Sequence, residues 1–237
     1  MRFDRKRTLV VSISAILLLA AGSSFTPAQK KSRMQDAARH SREASEVFTA
    51  IMNIREKAIP KELIDKAEAI AVFPGVLKAA FVFGGHGGQG VISRRIKGGW
   101  SEPVFFNLGG GSFGAQIGAS KTDYIFLIMN EDGLNALLKD KVELGAEVGV
   151  AAGPVGRGAA ASTDARLSAG ILSYSRSKGA FIGAAIKGAL ISPDNDLNEA
   201  VYSAKARELL SGQPTPLAQL PADVRIFPRT LARYSVR

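Results

Sequence analysis

The chain has 237 residues, a net charge of +10, 46% apolar and 22% charged residues, and no cysteine. That is room for one large domain or two small ones, with the composition of a folded globular chain. The missing thiols exclude a disulfide framework, a thiolate metal site, a cysteine nucleophile and a lipidated cysteine anchor. With 2 histidines in all, there is little from which to build a multi-histidine metal centre or histidine-based catalysis.

At the N-terminus, Arg2, Arg5, Lys6 and Arg7 precede a weakly polar to apolar run from Thr8 to Gly22. A basic flank, a short apolar core and the small residues Ala20, Ala21 and Gly22 have the form of a secretory signal peptide. The run is shorter than the roughly 20 residues a membrane span needs. Cleavage after Gly22 or after Ala28 fits, with Ala28 preferred. Residues 1–28 are therefore expected to be a leader, and the mature chain periplasmic or secreted.

From Met34 onward, Ala37, Ala38, Ala44, Val47, Phe48, Ile51, Ile54 and Ala58 recur at spacings of three and four, one helical stripe over 34–58. The opposite face carries Arg39, Arg42, Glu43, Glu46, Arg55 and Glu56, and Lys30, Lys31 and Arg33 stand just ahead of it. Pro60 suits the first turn of a second helix, with Leu63, Ile64 and Ala67 as its apolar side.

The period then changes to two. All of the 25 glycines except Gly22 and Gly212 lie between Gly75 and Gly188. Apolar and small residues alternate over 112–119, 143–150 and 180–187, which predicts strands with one apolar and one small-residue face. Tyr124 to Met129 is apolar throughout and reads as a strand buried on both faces. So many glycines inside strands fit a sheet with bulges and strong coiling, or a small barrel. A short helix over 131–139, capped by Asn130 or Asp132, interrupts the strands. A closing helix over 195–210 ends at Gly212 and Pro214, and the proline-containing remainder is expected to be an extended wrap or partly mobile.

Candidate chemistry is sparse. The glycine run Gly84–Gly90 invites a phosphate-loop reading, but it lacks the closing Gly-Lys-Ser/Thr and the strand–helix context. A tight turn between strands 81–83 and 91–93 is the preferred reading. His86 on that loop has no carboxylate near it in sequence to form an acid–base pair. Glu143 and Glu147 would share one face of a strand, the arrangement of a glycosidase pair, but no aromatic sugar platform accompanies them. No Gly-x-Ser-x-Gly nucleophile elbow is present.

Basic residues are the better lead: Lys30, Lys31, Arg33, Arg39 and Arg42 with the first helix, Arg94, Arg95 and Lys97 on a loop or hairpin, and Arg176 and Lys178 in a turn. Basic clusters beside an amphipathic helix suit anionic lipid headgroups. Export and the lack of interleaved aromatics disfavour nucleic acid.

Several segments, in order, resemble the SYLF domain family: Ala69–Gly75, Gly84–Ile92, Gly99–Pro103, Ser112–Gly118 leading into Thr122–Tyr124, and Ser173–Phe181. The resemblance covers about residues 35–211. It implies a lipid-binding domain without enzymatic activity, which eukaryotic relatives join to Src-homology or FYVE modules and use to bind phosphoinositides. Some yeast relatives also bind and bundle actin. Binding in those relatives is associated with an N-terminal amphipathic helix and basic surface residues, and the helix from Met34 to Ala58 occupies the corresponding place. The signal peptide and the absence of an accessory domain depart from the eukaryotic pattern, so actin is the partner that carries over worst.

The reading is an α+β fold, with a strongly curved Gly/Ala-rich antiparallel sheet or partial barrel, N-terminal amphipathic helices and a C-terminal helix. Residues 1–28 are the leader, 29–211 the lipid-binding domain and 212–237 a tail. The function expected is anionic-phospholipid binding, with the first helix partly in the headgroup layer, and with no cofactor, metal or catalytic residue. The alternatives are a structural envelope component, including an outer-membrane barrel, and an envelope-polymer hydrolase using Glu143, Glu147 or His86.

Overall fold

In a computed structural model of the chain, residues 27–54, 58–80, 83–113, 118–156 and 169–235 are described. The apolar stripe does form one helix, α1 (Pro27–Met52), which ends at Met52 rather than running to Ala58. Its stripe is core: Ala37, Ala44, Phe48 and Ile51 are fully buried and Val47 nearly so. Burying a large apolar side chain gives about 1.5–3 kcal/mol, so this face is committed to the fold and is not free to enter a headgroup layer. The short α2 (Lys61–Lys66) follows Pro60 and buries Leu63 and Ile64, as the spacing predicts. The leader expected at 1–28 lies outside the described residues, apart from Pro27 and Ala28 in the first turn of α1.

The strands are β1 (Ala69–Ala80), β2 (Phe83–Ile96), β3 (Gly99–Trp100), β4 (Val104–Phe113), β5 (Gly118–Ile128), β6 (Val142–Glu143), β7 (Val150–Ala152), β8 (Ile171–Ser177), β9 (Ala180–Gly183) and β10 (Leu190–Pro193). They form a curled sheet in the order β6-β10-β4-β2-β1-β5-β8-β7, with β3 on β2 and β9 on β8. Residues 142–152 join the two ends of that order through a Leu144–Val148 bridge. The pairing is antiparallel except between β7 and β8, which are parallel. The sheet is therefore mixed rather than wholly antiparallel.

Side-chain alternation gives the sheet two apolar faces. On one, Ile70, Val72, Val91, Ile125, Leu127 and Tyr174 pack with α1, α2, α4 (Asn195–Tyr202) and α6 (Ile226–Tyr234). On the other, Phe73, Ile92, Phe106, Phe126, Ile128 and Ile191 pack among themselves, with α3 (Glu131–Leu137) and α5 (Ala206–Ser211). Both apolar faces are thus covered, one by helices and the other by the curl of the sheet with α3 and α5, whereas a transmembrane barrel turns an apolar band outward. β5 lies between β1 and β8 and is buried on both faces from Ile125 to Ile128, as its uninterrupted apolar run predicts.

Several segments depart from their predicted form. The glycine run 84–90 is neither a phosphate loop nor a tight turn; it is the interior of β2, paired with β1 and β4. The reason lies next door in β1, where Phe73-Pro74-Gly75 forms a bulge that shifts the register against both neighbours. Gly75 has φ +54, the left-handed region that glycine enters freely. The displaced chain presses on β2, so that a Cβ on Gly90 would lie 2.3 Å from the Val72 carbonyl oxygen.

The alternation over 112–119 spans the end of β4 and the start of β5, with 114–117 outside the described residues. The strand expected at 143–150 is broken by a turn at Gly145, φ +85, and the one at 180–187 stops at Gly183. The closing helix is two helices, because Ser203 adopts φ 58 and ends α4. The tail is integral rather than loose. Val224, Phe227 and Leu231 are fully buried, and Ser41 Oγ donates to the Val224 carbonyl at 2.6 Å while accepting from the Phe227 N–H at 3.1 Å.

Candidate functional site

The end of β1 and start of β2, the end of β4 and start of β5, and the β8–β9 turn lie toward one end of the sheet, the mouth, as antiparallel pairing requires. The bulge lies midway along β1, between this end and the other. Asp123 on β5 accepts the Gly75 N–H at 2.8 Å through Oδ1, and its Oδ2 meets Arg176 Nε at 2.8 Å and Nη2 at 2.7 Å. Both side chains are largely buried, at 17% and 27% exposure, so the pair is screened less than a surface ion pair. Three of the segments carrying the family resemblance, Ala69–Gly75, Thr122–Tyr124 and Ser173–Phe181, converge on this one network.

Around it stand cations with no ion pair among the described residues: Lys78 on β1, Lys121 on β5 and Lys178 in the β8–β9 turn. Lys121 pairs in register with Leu77, while Lys78 pairs with Ser120 and His86. Lys178 has φ 49 and Gly179 φ 81, the geometry of a two-residue hairpin turn that points its intervening side chains outward. Among the described residues Leu77 and Ile182, at 48% and 56% exposure, are the large apolar side chains left open; both belong to the mouth half of the sheet, on opposite faces. Between α1 and the bulge lies a cleft of ≈ 300 Å³ lined by Arg39, His40, Glu43, Gly75, Gln89 and Lys121.

The basic residues named from sequence are not gathered into one patch. Lys30 and Lys31 are exposed near the start of α1, and Arg33 is half-buried. Arg39 pairs with Asp36 at 3.1 Å and Glu43 at 3.7 Å, and Arg42 with Asp223 at 3.5 Å. Arg94, Arg95 and Lys97 belong to the opposite end of β2, roughly 30 Å from His86 at ~3.3 Å per residue. Two of these three support the fold there. Arg95 Nε donates to Ala67 O at 2.9 Å and Nη2 to Ile64 O at 2.6 Å, with its guanidinium 4.2 Å above the Trp100 ring. Arg94 donates to the Gly212 carbonyl. Arg176 is held by Asp123, and Lys178 alone of the ten is both at the mouth and unpaired.

The alternative acid–base groups are accounted for structurally. Glu147 sits in the Gly145 turn, where it pairs with Lys139 Nζ at 3.0 Å and accepts the Glu143 N–H at 3.2 Å. The Lys139 hydrogen bond and then the Glu143 N–H hold its pKa below the usual carboxylate value. Glu143 ends β6 and Glu147 lies in the turn, so the two do not share one face of a single strand. His86 lies over the Gly110 backbone, and burial followed by Lys78 keeps its pKa below 6.5. Among the described residues its register partners are Lys78 and Gly110, and neither is an acid.

Comparison with known proteins places this geometry. The Ysc84 family, described as "Las17-binding protein actin regulator", matches residues 109–233, more than half of the chain. The chain belongs to the Ysc84 family. It is 35% identical over 167 residues to LAS seventeen-binding protein 3 of Saccharomyces cerevisiae, covering 68% of this chain and 36% of that protein. It is 33% identical over 164 residues to Protein YSC84 of the same yeast, covering 67% of this chain and 35% of that protein. With SH3 domain-containing YSC84-like protein 1 of Bos taurus it shares 30% identity over 214 residues, 89% of this chain and 62% of that protein. The chain thus spans about a third of the length of these yeast relatives. Their names describe binding and adaptor-type proteins rather than enzymes. The Ysc84 match includes Asp123 and Arg176 as well as α6 as far as Arg233.

Sequence reasoning missed Lys78, Lys121, Leu77, Ile182 and His40. Lys78 and Lys121 are single cations in glycine-rich surroundings and form no run. Only the β1–β5 register sets them one step apart on neighbouring strands, Lys121 opposite Leu77 on one face and Lys78 opposite Ser120 on the other.

Proposed function

We propose that this Ysc84-family protein is exported and binds anionic phospholipid surfaces through the mouth of its sheet, without turnover chemistry. The observation that carries this is the set Lys78, Lys121 and Lys178, without ion pairs among the described residues, together with the exposed Leu77 and Ile182, all in the mouth half of the sheet and shared between its two faces. Each lysine near an anionic surface contributes about 1 kcal/mol, and burying a large apolar side chain about 1.5–3 kcal/mol when complete. Charge and insertion together give the two weak signals that reversible membrane attachment requires. The basic, then apolar, then small pattern of Arg2 to Gly22 supports export.

The test is co-sedimentation of the purified protein with phosphatidylcholine vesicles, with and without phosphatidylglycerol or cardiolipin, at two salt concentrations. Binding only to anionic vesicles, weakened by salt, is the expected result; equal binding to neutral vesicles, or none, refutes it.

A second reading follows from the family's description as an actin regulator, which sits poorly with the expectation that actin is an unsuitable partner. Here the mouth would bind a protein surface instead. Pelleting with filamentous actin in the absence of lipid separates the two.

A further inference from the structure

The cleft between α1 and the bulge has a charge pattern different from that of the mouth beside it. Its α1 wall carries Glu43, whose contact with Arg39 at 3.7 Å is beyond hydrogen-bonding distance, whereas Arg39 bonds Asp36 at 3.1 Å. Its β5 wall carries Lys121, unpaired among the described residues. The floor is uncharged: the Gly75 N–H is already given to Asp123, and Gln89 Nε2 donates to Asp194 at 3.2 Å. His40 closes the α1 side, buried to 3% exposure with Nδ1 unpartnered. Burial, then Arg39, disfavours its protonated form, so it adds no further positive charge.

The α1 wall, where Arg39 is shared between Asp36 and Glu43, carries a net negative charge and Lys121 on the facing wall a positive one, which suits a ligand that carries both charges. A simple phosphate would be attracted by Lys121 and repelled by Glu43. A ligand with a phosphate and an ammonium satisfies both, and a primary ammonium can donate hydrogen bonds to a carboxylate where a quaternary one cannot. We infer that the cleft binds a phosphate ester bearing a primary ammonium, its phosphate on Lys121 and its ammonium on Glu43. The inference deepens the membrane reading: the mouth supplies attachment to an anionic surface, and the cleft selects an ethanolamine-type headgroup within it. The same chemistry occurs in a free ester, so the test carries an arm for each source.

The purified protein is titrated with O-phosphoethanolamine, phosphocholine and inorganic phosphate, following the backbone amides of Gly75 and Gln89 by NMR. Phosphoethanolamine is expected to shift both amides and to bind at least tenfold more tightly than the other two probes. Glu43→Gln, an exposed change worth little to stability, should erase that preference, since a charge-assisted hydrogen bond is worth roughly tenfold in affinity. Equal binding of all three probes, or a preference that survives Glu43→Gln, overturns the inference.

Anionic vesicles with and without phosphatidylethanolamine form the second arm. A gain with phosphatidylethanolamine, lost in Glu43→Gln, assigns the site to the headgroup; preference for the soluble ester without that gain assigns it to a free ester. Selective ester binding with no vesicle binding at all sinks the membrane reading and leaves the cleft. Vesicle binding with no ester preference does the reverse.

Discussion

Replacing Gly90 by alanine puts a Cβ 2.3 Å from the Val72 carbonyl oxygen and 2.5 Å from the Phe73 ring. Neither can swing aside. The oxygen belongs to the backbone of a paired strand, and Phe73 is fully buried at an edge-to-face contact with Phe126, 5.7 Å between centroids. One strand must move off the other, and overpacking of this kind costs about 1–3 kcal/mol. For a domain of this size each kcal/mol lowers Tm by about 2–4 °C, so a drop of roughly 2–12 °C is expected. Gly87 provides the control from the same glycine run: its added Cβ would meet nothing within 4 Å. Gly87→Ala should stay within about 0.5 kcal/mol of the parent, or gain slightly by stiffening the unfolded chain. Thermal and urea unfolding followed by circular dichroism measure both. Equal stabilities for the two variants would refute the claim that this run is glycine because β1 crowds it.

Other outcomes follow from the same geometry. Asp123→Asn keeps the shape but removes the charge facing Arg176, and should lose about 1–3 kcal/mol in urea unfolding; an unchanged midpoint would mean the bulge is held by other contacts. Arg95→Lys forfeits the two-pronged donation to Ala67 and Ile64 and the stacking over Trp100, a loss of about 2 kcal/mol. It should leave vesicle affinity unaltered, since Arg95 is at the far end from the mouth. His40 has a folded pKa below 6.5 through burial, then Arg39. Above pH 6.5 both states are neutral there. As pH falls below that value the unfolded chain takes the proton first, so stability declines by at most about 1.4 kcal/mol per pH unit until His40 itself protonates. The slope between pH 6.5 and 5 should flatten in His40→Gln, and an identical slope would assign the acid sensitivity elsewhere.

Much of the architecture was legible in the sequence, because period is a direct consequence of which side is buried. The three-and-four spacing from Ala37 to Ile51 marked α1, and the unbroken apolar run of β5 marked a strand covered on both faces. Of the two caps the sequence offered α3, Asn130 and Asp132, it is Asn130 that accepts the Gly133 N–H at 2.9 Å. The glycine run was misread because the same residues serve turns and close strand approach. Only the bulge in the neighbouring strand decides between the two, and that is a tertiary fact. Pro214, Pro216, Pro221 and Pro228 masked the spacing of Val224, Phe227 and Leu231, although Pro228 is accommodated near the start of α6. Of the site, local sequence revealed Lys178 in its turn. Lys78 and Lys121 could not be grouped without the β1–β5 register, and the arginines beside Lys97 looked free because their carbonyl partners are distant in sequence.

The mouth is most directly tested by where the protein meets a membrane. The chain has no cysteine, so single cysteines at Leu77, Ile182 and, as a control, Ala146 can each carry one environment-sensitive fluorophore. Ala146 is exposed in the Gly145 turn. On adding phosphatidylglycerol vesicles, blue-shifted and brightened emission at 77 and 182, with none at 146, is the predicted result. No change at 77 and 182 in vesicle-bound protein would contradict the account and place the membrane contact on another face.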